Sequence, residues 1–158
     1  MLIFNLFLTL FALLVGISSI VELAVVIKKW NGDIMGALDI STASDSLLKA
    51  IEDGTEAAKI SKKMGSHKAL KVNKATKKLL KAIKSSLATI TRSKALFEDS
   101  GLTSIMISSI EEDRAAAENL IAAVVDKLPS AGKRIGRKLG RKISDAFDSA
   151  IADFSKES

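Results

Sequence analysis

Apolar residues recur along this chain at spacings of three and four, and nowhere do they alternate over the length of a strand. Between residues 67 and 98 the series is Val72, Ala75, Leu79, Ile83, Leu87 and Ile90. Between 104 and 127 it is Met106, Ile110, Ala117, Ile121 and Val124, with Leu128 just beyond. Between 131 and 154 it is Ile135, Leu139, Ile143, Phe147, Ile151 and Phe154. Such spacing marks amphipathic helices that bury one face. A single proline and abundant Ala, Leu, Lys and Ser fit the same reading.

Four breaks set the helix ends. Trp30-Asn31-Gly32-Asp33 is the first, with Asp33 placed to cap the helix that follows. Gly65-Ser66 is the second, after Lys62-Lys63. In Ser100-Gly101-Leu102-Thr103, Gly101 suits the left-handed position after a helix, and Thr103 or Ser104 suits the next cap. Leu128-Pro129-Ser130 is the last. The predicted helices cover about 19–30, 34–60, 67–98, 104–127 and 131–154. Short links between long helices predict an all-α, antiparallel bundle of about five helices in one domain, residues 20–158.

Ahead of that domain the pattern changes. From Met1 to Val21 no side chain is charged, and Leu2 to Val15 is apolar except for Asn5 and Thr9. Gly16, Ser18 and Ser19 supply small residues for a peptidase, so residues 1–19 read as a cleaved secretory signal peptide. The rivals are a retained anchor, because the apolar run reaches about 20 residues, enough to span a bilayer, and a buried core helix. Export places the domain outside the cell or in its wall. The chain has no cysteine, so an exported domain of this sequence holds together by packing alone.

Charge and chemistry narrow the function. The net charge of +6 favours anionic partners such as acidic lipid, cell-wall polymer or fatty carboxylate, and export argues against nucleic acid. One histidine, no cysteine and no tyrosine leave nucleophilic catalysis dependent on His67, which sits beside Lys68 and reads as solvated. Glu111-Glu112-Asp113 is the one acidic run and reads as a solvated face pairing with Arg114 or nearby lysines. No cofactor or metal is expected.

Two basic tracts remain. Ten lysines fall between Lys59 and Lys84, many on the face opposite Val72, Leu79 and Ile83. The second tract is a four-residue near-repeat, KRIG-RKLG-RKIS, over residues 133–144. It predicts Ile135, Leu139 and Ile143 inward, the cations Lys133, Arg134, Arg137, Lys138, Arg141 and Lys142 outward, and Gly132, Gly136 and Gly140 on a third stripe. Three glycines lower helix propensity by about 1 kcal/mol each. They point to close approach by another helix or by an acyl chain.

Three stretches carry a family resemblance. The first is WNGDIMGALDI at 30–40, running on to LLKAIEDGT at 47–55. The second is FEDSGLT at 97–103, and the third VVDKLPS at 124–130, followed by a helix ending FDSAIA at 147–152. Their order and spacing resemble the fungal hydrophobic surface-binding protein A family, also called cell-wall galactomannoproteins. The resemblance implies a secreted, non-enzymatic helical bundle. It also implies adsorption to hydrophobic surfaces, recruitment of a secreted hydrolase there, and fatty acid held between helices. Under it, the candidate lipid-lining residues are Leu79, Ile83, Leu87, Ile110, Ile121, Val124, Ile135, Leu139, Ile143 and Phe147. The six cations of residues 133–142 are the candidates for an anionic head group, membrane or wall polymer.

Overall fold

The computed structural model describes residues 2–156, with side chains from residue 9 onward. Met1, the side chains of residues 2–8 at the start of the expected leader, and residues 157–158 lie outside this description. Six helices form among the described residues: α1 (Leu2–Lys29), α2 (Ile34–Ile60), α3 (Ser66–Arg92), α4 (Lys94–Asp99), α5 (Thr103–Asp126) and α6 (Ser130–Ser155). The turn chemistry works as the sequence predicts at two corners. Asp33 adopts extended backbone, and its Oδ1 accepts from Gly36 N at 3.1 Å, closing the first turn of α2. Gly32 and Gly101 take positive φ, +95° and +70°. At the start of α5, however, Leu102 stands at the cap without a side-chain bond, and neither Thr103 nor Ser104 caps.

Two boundaries differ from expectation. The predicted 67–98 helix breaks at Ser93 into α3 and the short α4, which turns the chain so that Phe97 points into the core. The helix expected over 19–30 instead starts at Leu2 and runs unbroken through the expected cleavage site. In that stretch Thr9, Ala12 and Leu13 are buried, Ala12 lies against Gly54 of α2, and Thr9 Oγ1 meets Ser61 Oγ at 3.0 Å.

The five long helices close a ring in the order α1–α2–α5–α6–α3, with α1 lying between α2 and α3. An odd ring cannot alternate throughout. Consecutive helices reverse direction, but α2 runs parallel to α5: their first turns share one cavity, and Met64 N meets Lys127 O just beyond their ends. α3 likewise runs parallel to α6. The core fills the ring with one apolar cluster that includes Leu13, Ile27, Leu47, Val72, Ile110, Ile143 and Phe147. Two of its buried hydroxyls are satisfied locally: Thr55 and Thr76 donate to the carbonyls of Ile51 and Val72 at 3.0 and 2.9 Å. At one end, Met64 N donates to Lys127 O at 2.7 Å and Asn73 Nδ2 to Gly132 O at 3.2 Å. At the other end, Trp30 packs on Phe97 with ring centroids 4.8 Å apart, and Phe97 on Phe154 at 5.7 Å.

The glycines of the basic repeat serve helix contact. A Cβ on Gly136 would lie 2.9 Å from Val125 Cγ2 and 3.1 Å from Leu128 Cδ1, and one on Gly140 2.9 Å from Ile121 Cγ2. α6 thus comes close enough to α5 that only glycine fits. Gly136→Val is expected to lower stability by about 1–3 kcal/mol through overpacking, despite removing a flexible residue. Urea unfolding followed by circular dichroism reads the change.

Candidate functional site

Two concave surfaces deserve comparison. The first lies where the N-terminal turns of α2 and α5 meet α4. It is an apolar cavity of about 450 Å³, lined by Ile34, Ala37, Leu38, Ile40, Phe97, Leu102, Ile105 and Met106, with Ser41, Ser44, Ser100 and Ser109 among the polar lining. The Trp30–Asp33 corner shapes it. Trp30 Nε1 donates to Asp33 O at 2.9 Å, and Ser100 Oγ to Gly32 O at 3.4 Å, so the turn before α2 is fixed against the turn after α4. Ile40, Phe97 and Met106 form the buried floor. The rim is apolar and wet: Ile34 is 80 % exposed, Ile105 64 % and Leu38 56 %. Large aliphatic side chains held this open around a cavity lack a partner of their own kind.

The second is a more open groove of about 980 Å³ between α5 and α6. Ala117, Ile121, Val125 and Ile143 contribute its apolar floor. Lys133, Arg137, Lys138, Arg141 and Lys142 line it, whereas Arg134 does not. Acids share the groove: Glu118, Asp126, Asp145 and Asp148. Arg114 Nε crosses it, 3.1 Å from Asp148 and 3.3 Å from Glu118, and Lys133 Nζ donates to Asp126 O at 3.2 Å. These contacts screen the cations nearest the floor and leave the others toward water.

The lipid-lining candidates read from sequence therefore divide. Leu79, Ile83, Leu87, Ile110, Val124, Leu139 and Phe147 pack in the core, and Ile121 and Ile143 do so while also reaching the α5–α6 groove. Ile135 is 41 % exposed, which corrects its inward assignment. Four residues turn a helix by 400°, so a four-residue repeat drifts about 40° per unit. Gly132 and Gly136 take the inward place that Ile135 was given. None of the ten, and none of the six cations, lines the α2–α4–α5 cavity.

The acidic run is corrected as well. Glu111 and Glu112 are exposed, but Asp113 is buried. Ile110, Asp113 and Ala117 stand three and four apart, so the carboxyl falls on the core face of α5 while Arg114 pairs elsewhere. Burial, with Glu112 adding like charge, pushes the Asp113 pKa from 3.8 up to about 7. Between those values the folded chain holds a proton that the unfolded chain has released. Stability contributed by this group therefore falls as pH rises from ~4 to ~7, by about 4 kcal/mol in all. Asp113→Asn is expected to flatten that fall and to raise the urea midpoint above neutral pH. Unfolding curves at several pH values test this.

Comparison with known proteins places the fold. The profile of the family described as hydrophobic surface binding protein A matches residues 18–126. Cell wall mannoprotein 1 of Aspergillus flavus is 26 % identical over 125 residues, which span 79 % of this chain and 45 % of that protein. Ligand binding domain 1 of the Penicillium marneffei MP1 protein, solved with arachidonic acids, superposes with a TM-score of 0.90. It is 19 % identical, and the match covers 96 % of this chain and 99 % of that one. Afmp4p, solved with palmitic acid, gives a TM-score of 0.90 at 25 % identity, with 93 % and 97 % covered. With the six-helix architecture and its profile match over most of the length, this chain belongs to the hydrophobic surface binding protein A family.

Proposed function

We propose that this protein is an exported, non-enzymatic lipid-binding domain that takes a single acyl chain into the cavity between the starts of α2 and α5. The observation that carries the reading is the cavity itself, a buried apolar floor under a rim of exposed Ile34, Leu38 and Ile105. Its volume of about 450 Å³ lies in the range of about 300–1,000 Å³ common to small-molecule sites. The tail enters over Ile40, Phe97 and Met106, and the head stays at the mouth, where the serine hydroxyls share the polar lining with Asp33 and Asp45. Each buried methylene contributes about 0.8 kcal/mol before ordering costs, so a long chain supports micromolar binding or tighter. Afmp4p, with its palmitic acid, supports the choice of ligand class.

The same rim supplies the means of adsorbing to an apolar surface, where the domain would hold a secreted hydrolase near its polymer. Wall residence follows the mannoprotein relative. Titration with a fluorescent fatty acid, and mass spectrometry of the purified protein under native conditions, test the reading. Saturable one-to-one binding is expected. An absence of saturable binding, of co-purified lipid and of adsorption to hydrophobic beads would overturn it.

A further inference from the structure

The outward face of α1 has no role in the bundle. α1 is apolar on nearly every side, and only half of it is used: Leu13, Ile20, Leu23 and Ile27 face the core, while Val21 and Val25 stand 44 % and 43 % exposed. Leu14, 53 % exposed, extends the same line about two turns toward the N-terminus. From Leu14 to Val25 this strip is about 16 Å long. A helix apolar all round is ordinarily surrounded, yet this one sits at the surface.

Its neighbour on that surface is α3. Val21, Val25 and Lys28 share a shallow groove with Lys78, Lys81, Ser85 and Thr89. Lys74 and Lys71 continue the row along α3, all of them exposed. No acidic residue occurs anywhere in α3, and the one acid of α1, Glu22, does not line that groove. Apolar strip and unopposed lysine row thus lie side by side. A second copy of this chain would bring lysine against lysine. A neutral apolar surface would leave the lysines unanswered. A bilayer with anionic head groups answers both, with acyl chains for the strip and phosphates for the row.

We propose that the α1–α3 face docks the protein, lying flat, on anionic lipid membranes. Lys74, Lys78 and Lys81 meet the head groups, and Val21 and Val25 enter the boundary below them. The lipid cavity opens at the α2–α4–α5 corner, outside this face, so a docked molecule keeps its mouth clear for an acyl chain.

Sedimentation of the full chain with vesicles tests the proposal. Phosphatidylcholine alone should retain little protein, and adding about 30 mol % phosphatidylglycerol should retain most of it, with release by high salt. The triple change Lys74→Gln, Lys78→Gln, Lys81→Gln should weaken partitioning by about 100-fold while leaving fatty-acid titration intact. The quadruple change Arg137→Gln, Lys138→Gln, Arg141→Gln, Lys142→Gln on α6 should weaken it by less than about threefold. Because the chain lacks cysteine, Val21→Cys carries a single environment-sensitive dye, whose emission should rise and shift blue on the anionic vesicles. The same dye on Ser149→Cys should not respond.

Equal loss from the α3 and α6 sets would overturn the proposal in favour of diffuse attraction. Retention independent of phosphatidylglycerol and resistant to salt would overturn it in favour of a membrane-spanning α1. A dimer in solution that Val25→Asp dissolves would overturn it in favour of a second copy. Loss of fatty-acid binding in the wild-type chain would instead count against the cavity, leaving the docking result to stand by itself.

Discussion

Phe97→Ala is expected to lower the stability of the domain by about 3–5 kcal/mol, the range for removing a fully buried aromatic ring. Phe97 is 3 % exposed and lies between Trp30 and Phe154, at 4.8 and 5.7 Å between ring centroids. Those two contacts join the corner before α2 to the end of α6 through the short α4, so the loss is felt at three places in the sequence. Trp30, the nearest ring, is held by its bond to the Asp33 carbonyl, which resists collapse into the gap. The urea midpoint should drop by roughly 2 M for an m-value of about 2 kcal/mol/M. A drop under about 1 kcal/mol would mean that α4 is a loose flap and that the aromatic contacts do not hold the corner.

Ala37→Phe should have the opposite profile, a small change in stability and a large change in binding. Ala37 is half-buried on the cavity wall, one turn before the floor residue Ile40. A benzyl group there grows into open space, so the folded state changes by less than about 1 kcal/mol. It displaces about three methylenes of a bound acyl chain, which weakens affinity about 50-fold. Displacement titration with unlabelled fatty acids of increasing length reads this directly. The penalty should shrink for chains short enough to avoid the ring. If affinity is unchanged at every length, the acyl chain is bound elsewhere.

Much of the fold was legible because local signals agree with the global arrangement. The apolar lines on α3 and α5 all reach the core, and Asp33 and Gly101 do what their chemistry allows. The misreadings have physical causes. A repeat of four winds about 40° per unit on a helix of 3.6 residues per turn, and over one unit this carries Ile135 off the core face that Leu139 and Ile143 keep. Asp113 adjoins Glu111 and Glu112 in sequence, but each helical step rotates the side chain by 100°, and only the register of the α5 core face shows that Asp113 is the one turned inward. The break at Ser93 has no proline or glycine to announce it.

The candidate cavity was the least legible part. It arises where two helix starts from different halves of the chain splay apart, and no spacing within one helix encodes that. A partial signal was present. Ile34, Met35 and Leu38 crowd the first turns of α2 outside the buried line of Ile40, Leu47 and Ile51. Apolar residues left over after a core stripe has been assigned were the clue, and the same clue marks Val21 and Val25 on α1.

Trp30 gives the molecule an optical property that follows from its placement. The chain has one tryptophan and no tyrosine, so its near-ultraviolet emission comes almost wholly from one indole. That indole lies with its centroid 4.8 Å from that of Phe97, tilted 52° to a ring that also lines the cavity. Whatever occupies the cavity changes the polarity and motion one ring away from the fluorophore. The domain is thereby its own gauge of occupancy, readable in a cuvette without any label.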